Sequence, residues 1–184
     1  MTITDPQVMR ALAHPARLAI MEYLSSTGAS VTATEGAQVV GLSPSATSYH
    51  LRALAKYGMV AEAPGRGDGR ERVWRSAVQS WGYEAGHEAD PEALAAEETL
   101  TDAFFQREIE RAKAWMRRAH DEPREWYDAV LLSNSMLLIT VEELAELNAA
   151  VLKLLEPYRR ITRQQDAPPG ARVVAAYYKS VPID

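Results

Sequence analysis

Residues 41–60 read GLSPSATSYHLRALAKYGMV, and this stretch decides the fold. Gly41 suits the end of one helix. Ser43-Pro44 suits the start of the next, as N-cap and first helical residue. Thr47, Leu51 and Leu54 then recur at i, i+4 and i+7, and Gly58 ends the element. Two helices joined by a turn around Gly41, Leu42 and Ser43 form a helix-turn-helix pattern. Upstream, Asp5-Pro6 opens a short helix over 6–13. Pro15 opens a second, with Leu18, Met21 and Leu24 on one face and Ser25 to Gly28 as its stop. A third runs from near Thr34 to Gly41, with Gly36 inside it at a cost of ~1 kcal/mol relative to alanine. Downstream, Met59–Ala61 and Arg70–Ser76 read as two short strands. They flank Pro64-Gly65-Arg66-Gly67-Asp68-Gly69, whose glycines mark a hairpin tip. A helix-turn-helix followed at once by a Gly/Arg hairpin is a winged helix.

On a helical wheel of 43–57, Thr47, Leu51 and Leu54 set the inward direction. Ser45, Tyr49, Arg52 and Lys56 then lie within about 40° of the opposite direction, at 3.6 residues per turn. Ser48 is on the flank and Ser43 at the helix start. Hydroxyls bond base edges or phosphate, and Arg52 and Lys56 suit phosphate, or Arg52 guanine. These residues are candidate DNA contacts; the alternative is a solvated helix face. His50 falls nearer the buried side, divided between partial packing and a backbone contact. Arg66, Arg70 and Arg72 of the hairpin suit a phosphate backbone or a narrow minor groove, although Asp68 and Glu71 reduce the local charge. Arg17 either reaches a phosphate or, the favoured reading, pairs with a carboxylate.

The segments LAHPARLAIMEYL (12–24), GLSPSATSYHLRALAKYGMV (41–60) and GRGDGRERVWR (65–75) resemble the ArsR-type winged helix-turn-helix transcriptional regulators. The resemblance covers residues 5–76. It implies a homodimer that binds operator DNA, often as a ligand-released repressor. Many metal-sensing members carry a cysteine-rich box in the third helix. Here that slot reads Thr34-Glu35-Gly36-Ala37-Gln38-Val39-Val40, so thiolate sensing there is excluded.

Composition agrees with a regulator that is basic only locally. The chain has 184 residues, 47% apolar and 24% charged, and a net charge of −5. Residues 1–82 carry 8 basic and 6 acidic side chains, net +2, whereas 83–184 carry 12 and 19, net −7. The stretch 43–75 has 6 basic and 3 acidic residues, net +3. A basic segment inside an acidic chain fits one nucleic-acid face beside a separate acidic module. There is no cysteine, which excludes disulfides, thiolate metal sites and cysteine nucleophiles. His87 with Glu84 and Asp90, and His120 with Asp121 and Glu122, are poorly spaced for a metal, so neither a metal nor another cofactor is expected. No GxSxG, P-loop, GxGxxG or HExxH pattern occurs, so an enzyme is not expected. The opening MTITDPQVMR lacks a basic start followed by an apolar stretch, and no run approaches a membrane span of ~20 residues; the expected location is cytoplasmic.

The expected division is a DNA-binding domain over 1–82 and a second domain over 83–184 for dimerisation and possible binding of a small-molecule effector. Pro91 opens a long helix to about His120, on which Phe105, Ile109, Ala112 and Met116 form an apolar stripe. That stripe is the candidate dimer interface, or else an intramolecular contact. Asp128–Thr140 reads as a strand or hairpin. Thr140-Val141-Glu142-Glu143 is a capping box opening an amphipathic helix that ends at Glu156-Pro157. Ala171–Val181 reads as a strand. Trp115, Trp126, Tyr127, Tyr177 and Tyr178 either line an effector pocket or fill a core, the latter favoured. The expected fold class is mainly α with small β: a winged helix plus a C-terminal α+β module. A winged helix used for protein interaction, without an operator, is the alternative function.

Overall fold

A computed structural model describes residues 1–65 and 71–183. It is mainly helical with small sheets, and it divides into two compact units, Met1–Arg107 and Glu108–Asp184.

In the first unit, β1 (Thr2–Ile3) precedes α1 (Pro6–Leu12) and α2 (Pro15–Thr27). The Asp5 carboxylate accepts from Gln7 N at 2.7 Å, capping α1, and the His14 Nδ1 accepts from Ala16 N at 3.2 Å, capping α2. β2 (Ser30–Thr32) leads into α3 (Ala33–Val40) and then α4 (Pro44–Lys56). A reciprocal capping box between Thr32 and Glu35 starts α3 one residue earlier than expected. Gly36 lies inside α3 because α4 comes close: a Cβ there would sit 3.1 Å from Thr47 Cγ2. The helix-propensity cost of that glycine is offset by the close packing it permits.

β3 (Val60–Ala63) and β4 (Val73–Ser76) are the wing strands. β4 is the centre of an antiparallel sheet of order β2-β4-β3, with Val31 and Glu62 both opposite Trp74. The β2 edge was not legible as a strand; three residues carry no periodicity to read. β5 (Gly82–Tyr83) pairs in parallel with β1. The core joins Met9, Leu12, Met21, Leu24, Leu51, Leu54, Met59 and Trp74, all below 5% exposed.

The helix α5 spans Pro91–Arg118. Its first half belongs to this core: Ala96 and Leu100 are buried, and Phe104 stacks on Tyr83 at 5.5 Å between centroids. Tyr83 Oη lies 3.0 Å from Thr101 Oγ1, Arg107 pairs with Glu22 at 2.5 Å, and Arg10 pairs with Glu92. These contacts carry the compact unit past 82/83 to Arg107.

The second unit contains the end of α5, a 3-10 turn at Ala119–Asp121, α6 (Arg124–Ala129), α7 (Val141–Leu155) and α8 (Arg160–Arg163). The Thr140–Glu143 capping box is present. Glu122 accepts from Arg118 and Arg172, and the Arg172 guanidinium lies 4.9 Å from the Trp126 ring centre. Asn148 Oδ1 accepts from Tyr178 Oη at 2.9 Å and from Ser180 Oγ at 2.8 Å.

The expected strands over 128–140 and 171–181 are absent among the described residues; the described part of this unit is helical and irregular, not α+β. β-branched and aromatic residues favour a half-buried pleated surface, and without a pairing partner a strand leaves its backbone donors and acceptors unmet. Leu131, Leu138 and Val173 are exposed, as are Tyr127, Tyr177 and Tyr178, so these tyrosines do not fill a core. No helix among the described residues is long and apolar enough to cross a membrane.

Candidate nucleic-acid interface

The turn between α3 and α4 is built by local chemistry. Gly41 takes φ +67°, a conformation that costs a glycine little, and its N–H bonds Ala37 O at 2.9 Å. Leu42 N also reaches Ala37 O, at 3.2 Å. Ser43 Oγ then accepts from Ala46 N at 3.2 Å, and Pro44 fills the first helical position. Thr47, fully buried, donates its hydroxyl to Ser43 O at 3.0 Å. With Thr47, Leu51 and Leu54 held in the core, the orientation of α4 is fixed.

The opposite face of α4 is open. Ser45, Tyr49, Arg52 and Lys56 are exposed, Tyr49 to 61%, and Ser48 is half-buried. This is the row read from the wheel. Arg52 is not loose: its Nη1 donates to Ser48 Oγ at 2.7 Å, one helical turn away. Lys56 Nζ lies 5.3 Å from the Tyr57 ring centre. The Ser43 hydroxyl is exposed but already serves as the helix cap.

His50 is different from its neighbours. It is 8% exposed, and its ring lies against His14, 4.5 Å between centroids. It therefore sits on the packed side of α4, the first of its two readings. Burial pushes its pKa below the ordinary 6.5, and His14 and Arg17 add to that effect. Arg17 forms no ion pair among the described residues, so the expected carboxylate partner is not found there, and its Nε is buried without a hydrogen-bond partner.

On the wing, Arg72 is exposed and pairs with Glu62 across β3 and β4 at 3.4 Å. Arg66 and Arg70 lie outside the described residues. A cleft of about 430 Å³ opens beside α4, lined by Ala33, Ser48, Arg52, Glu71, Arg72 and Trp74. It brings the arginine of the recognition helix and the arginine of the wing to one hollow. Glu71 accepts from Thr34 Oγ1 at 3.3 Å. The contact of Thr34 with Glu71 was missed, because nothing in their spacing links the start of α3 to the wing; only the β2–β4 pairing does.

On the candidate dimer stripe, Ile109 is 43% and Met116 54% exposed, while Phe105 and Ala112 are half-buried.

Residues 12–63 match a family model described as a helix-turn-helix domain. The chain is also similar, at 30% identity, to a protein whose crystal structure is described as that of a possible transcriptional regulator for arsenical resistance. The match covers 59% of this chain and 94% of that one, with a TM-score of 0.33. No curated protein is significantly similar to the chain. The helix-turn-helix match falls on the elements that form the turn and the open face of α4. Over residues 12–63 the chain carries a helix-turn-helix domain, and there it resembles the ArsR-type winged helix-turn-helix regulators of transcription.

Proposed function

We propose that the chain is a sequence-specific regulator that binds operator DNA as a homodimer, and that its output is repression. One observation carries this reading: α4 presents Ser45, Tyr49, Arg52 and Lys56 to solvent while its other face is locked into the core. A rigid helix with an open polar and basic face is what the major groove accepts. In this account Arg52, steadied by Ser48, reads a guanine or grips a phosphate. Lys56 and the hydroxyls of Ser43 and Ser45 bond the backbone, and Tyr49 packs against sugar or base. Arg66, Arg70 and Arg72 carry the wing to the adjacent minor groove. His50 supports the helix from behind.

The functional division is a DNA-binding domain over 1–82 and a dimerisation and effector domain over 83–184. Phe105, Ile109, Ala112 and Met116 form the contact between copies. A small-molecule effector, in this reading, acts through the second domain, whose Tyr127, Tyr177 and Tyr178 are exposed. The protein works in the cytoplasm and is not an enzyme.

The test is Arg52→Ala on duplex DNA. The variant stays folded, since Arg52 is exposed, and loses affinity by ~10-fold, the scale of one good contact of 1–3 kcal/mol. With a phosphate contact, the slope of log affinity against log salt falls by about 1, evenly across sequences. With a guanine contact, one base position loses discrimination. Unchanged affinity defeats the assignment. A wild-type chain with no salt-dependent affinity for any duplex favours the protein-interaction alternative.

A further inference from the structure

The contact between His14 and His50 ties the seat of the recognition helix to the protonation of two imidazoles. We propose that this pair is an acid-sensitive latch: both rings neutral hold α4 in its binding position, and protonation releases it, weakening DNA binding. The inference rests on the DNA-binding reading above for its output, but its structural half stands alone.

Three observations carry it. The His14 Nδ1 is the cap of α2, accepting from Ala16 N at 3.2 Å. That bond needs a lone pair, which an imidazolium lacks. The His50 ring is buried and packed against His14, 4.5 Å between centroids with the planes tilted by 41°, so two charges would meet in contact. Finally, His50 Nδ1 and Arg17 Nε are both buried without a partner among the described residues. A neutral His50 has a lone pair that tolerates the neighbouring guanidinium of the half-buried Arg17; a charged one adds a buried cation beside it, with no neutralising group among the described residues.

Among the described residues, no carboxylate acts on either ring to stabilise its charged form. The ionisable groups acting on His50 are His14 and Arg17, and on His14 it is Arg17. The other charges on the helices packed around it are engaged elsewhere: Arg10 of α1 with Glu92, Glu22 of α2 with Arg107, and Glu35 of α3 with Thr32 N. On α4 itself, Arg52 is held by Ser48 and Lys56 lies over Tyr57. Tyr49 stands edge-on to His50 at 5.5 Å, which links the pair to the outward row.

Burial, with the Arg17 charge next, lowers the pKa of His14; burial, with His14 and then Arg17, lowers that of His50. Both fall below the unfolded value of 6.5, so the unfolded or released state takes up protons first as pH drops. Stability from the pair is complete above that value and is lost as pH falls below it. This runs against the usual trend, in which acid adds positive charge and strengthens binding to DNA.

The test uses the full chain at fixed ionic strength. Anisotropy on a bound duplex is followed from about pH 7.5 to 5.5, and thermal unfolding without DNA is followed over the same range. The wild type loses affinity as pH falls below 6.5, and its melting temperature falls over the same interval. His14→Ser, which retains a capping oxygen but cannot titrate, and His50→Gln each remove part of the dependence; together they flatten it. Should His50→Gln fail to fold, His14→Ser alone still makes the acid loss shallower than in the wild type. Affinity or melting temperature that is flat or rises on acidification in the wild type overturns the latch, as does an unchanged pH profile in His14→Ser. A wild type that binds no duplex at about pH 7.5 fails the DNA reading instead, and the melting profile then decides the latch.

Discussion

Leu51→Ala should lower the stability of the first unit by about 2–5 kcal/mol. Leu51 is fully buried on the inner face of α4 and belongs to the cluster that includes Leu12, Met21, Leu24 and Leu54. Truncation removes the transfer energy of the lost carbons and leaves a cavity that a core of helices and a sheet closes only in part. Urea unfolding followed by tryptophan fluorescence measures it, because Trp74 is buried in the same cluster. The folded remainder should bind DNA almost normally at low temperature, since Leu51 faces away from the groove. A loss below about 1 kcal/mol would mean that the inner face of α4 is not packed as described.

The double variant Ile109→Glu/Met116→Glu should be monomeric, with its winged helix intact. Both side chains are substantially exposed in the single chain, so the carboxylates stay solvated there and folding is little affected. If a second copy covers them, two charges are buried without partners, at a cost of several kcal/mol. Affinity for a palindrome then falls to that of one half-site, because a single winged helix cannot set a spacing of about 34 Å. Sedimentation equilibrium paired with a DNA-shift assay reads both quantities. A variant that remains dimeric moves the interface away from this stripe, and one that unfolds makes the stripe part of the intramolecular core.

The first unit was legible because its signals are local. Asp5, Ser43, Gly28 and Gly41 bond residues within one turn, and Pro6, Pro15 and Pro44 have φ preset for the first helical position, so each of these caps and stops stands in the structure where the chain spells it. The outward row of α4 followed from three buried positions and the helical period alone. His50 was ambiguous because its environment depends on His14, 36 positions away. The contact of Thr34 with Glu71 was invisible for the same reason. The second unit was harder. The helix α7 announces itself by its capping box, but 128–140 and 171–181 have strand-like composition and no strand, since pairing is decided by a partner and not by propensity. The compact unit extends to Arg107 through ion pairs and ring contacts between distant residues, such as Arg107 with Glu22, which no composition boundary reveals.

The central claim is that the open face of α4 reads DNA. The most direct measurement is selection of bound duplexes from a random library by the full chain, repeated with Arg52→Ala. The account predicts enrichment of a palindrome with half-sites one helical turn, about 10 bp, apart. It also predicts that Arg52→Ala lowers recovery, and that one base position in each half-site relaxes if the arginine reads guanine. A library with no enriched sequence, or the same sequence enriched to the same extent by Arg52→Ala, would contradict it.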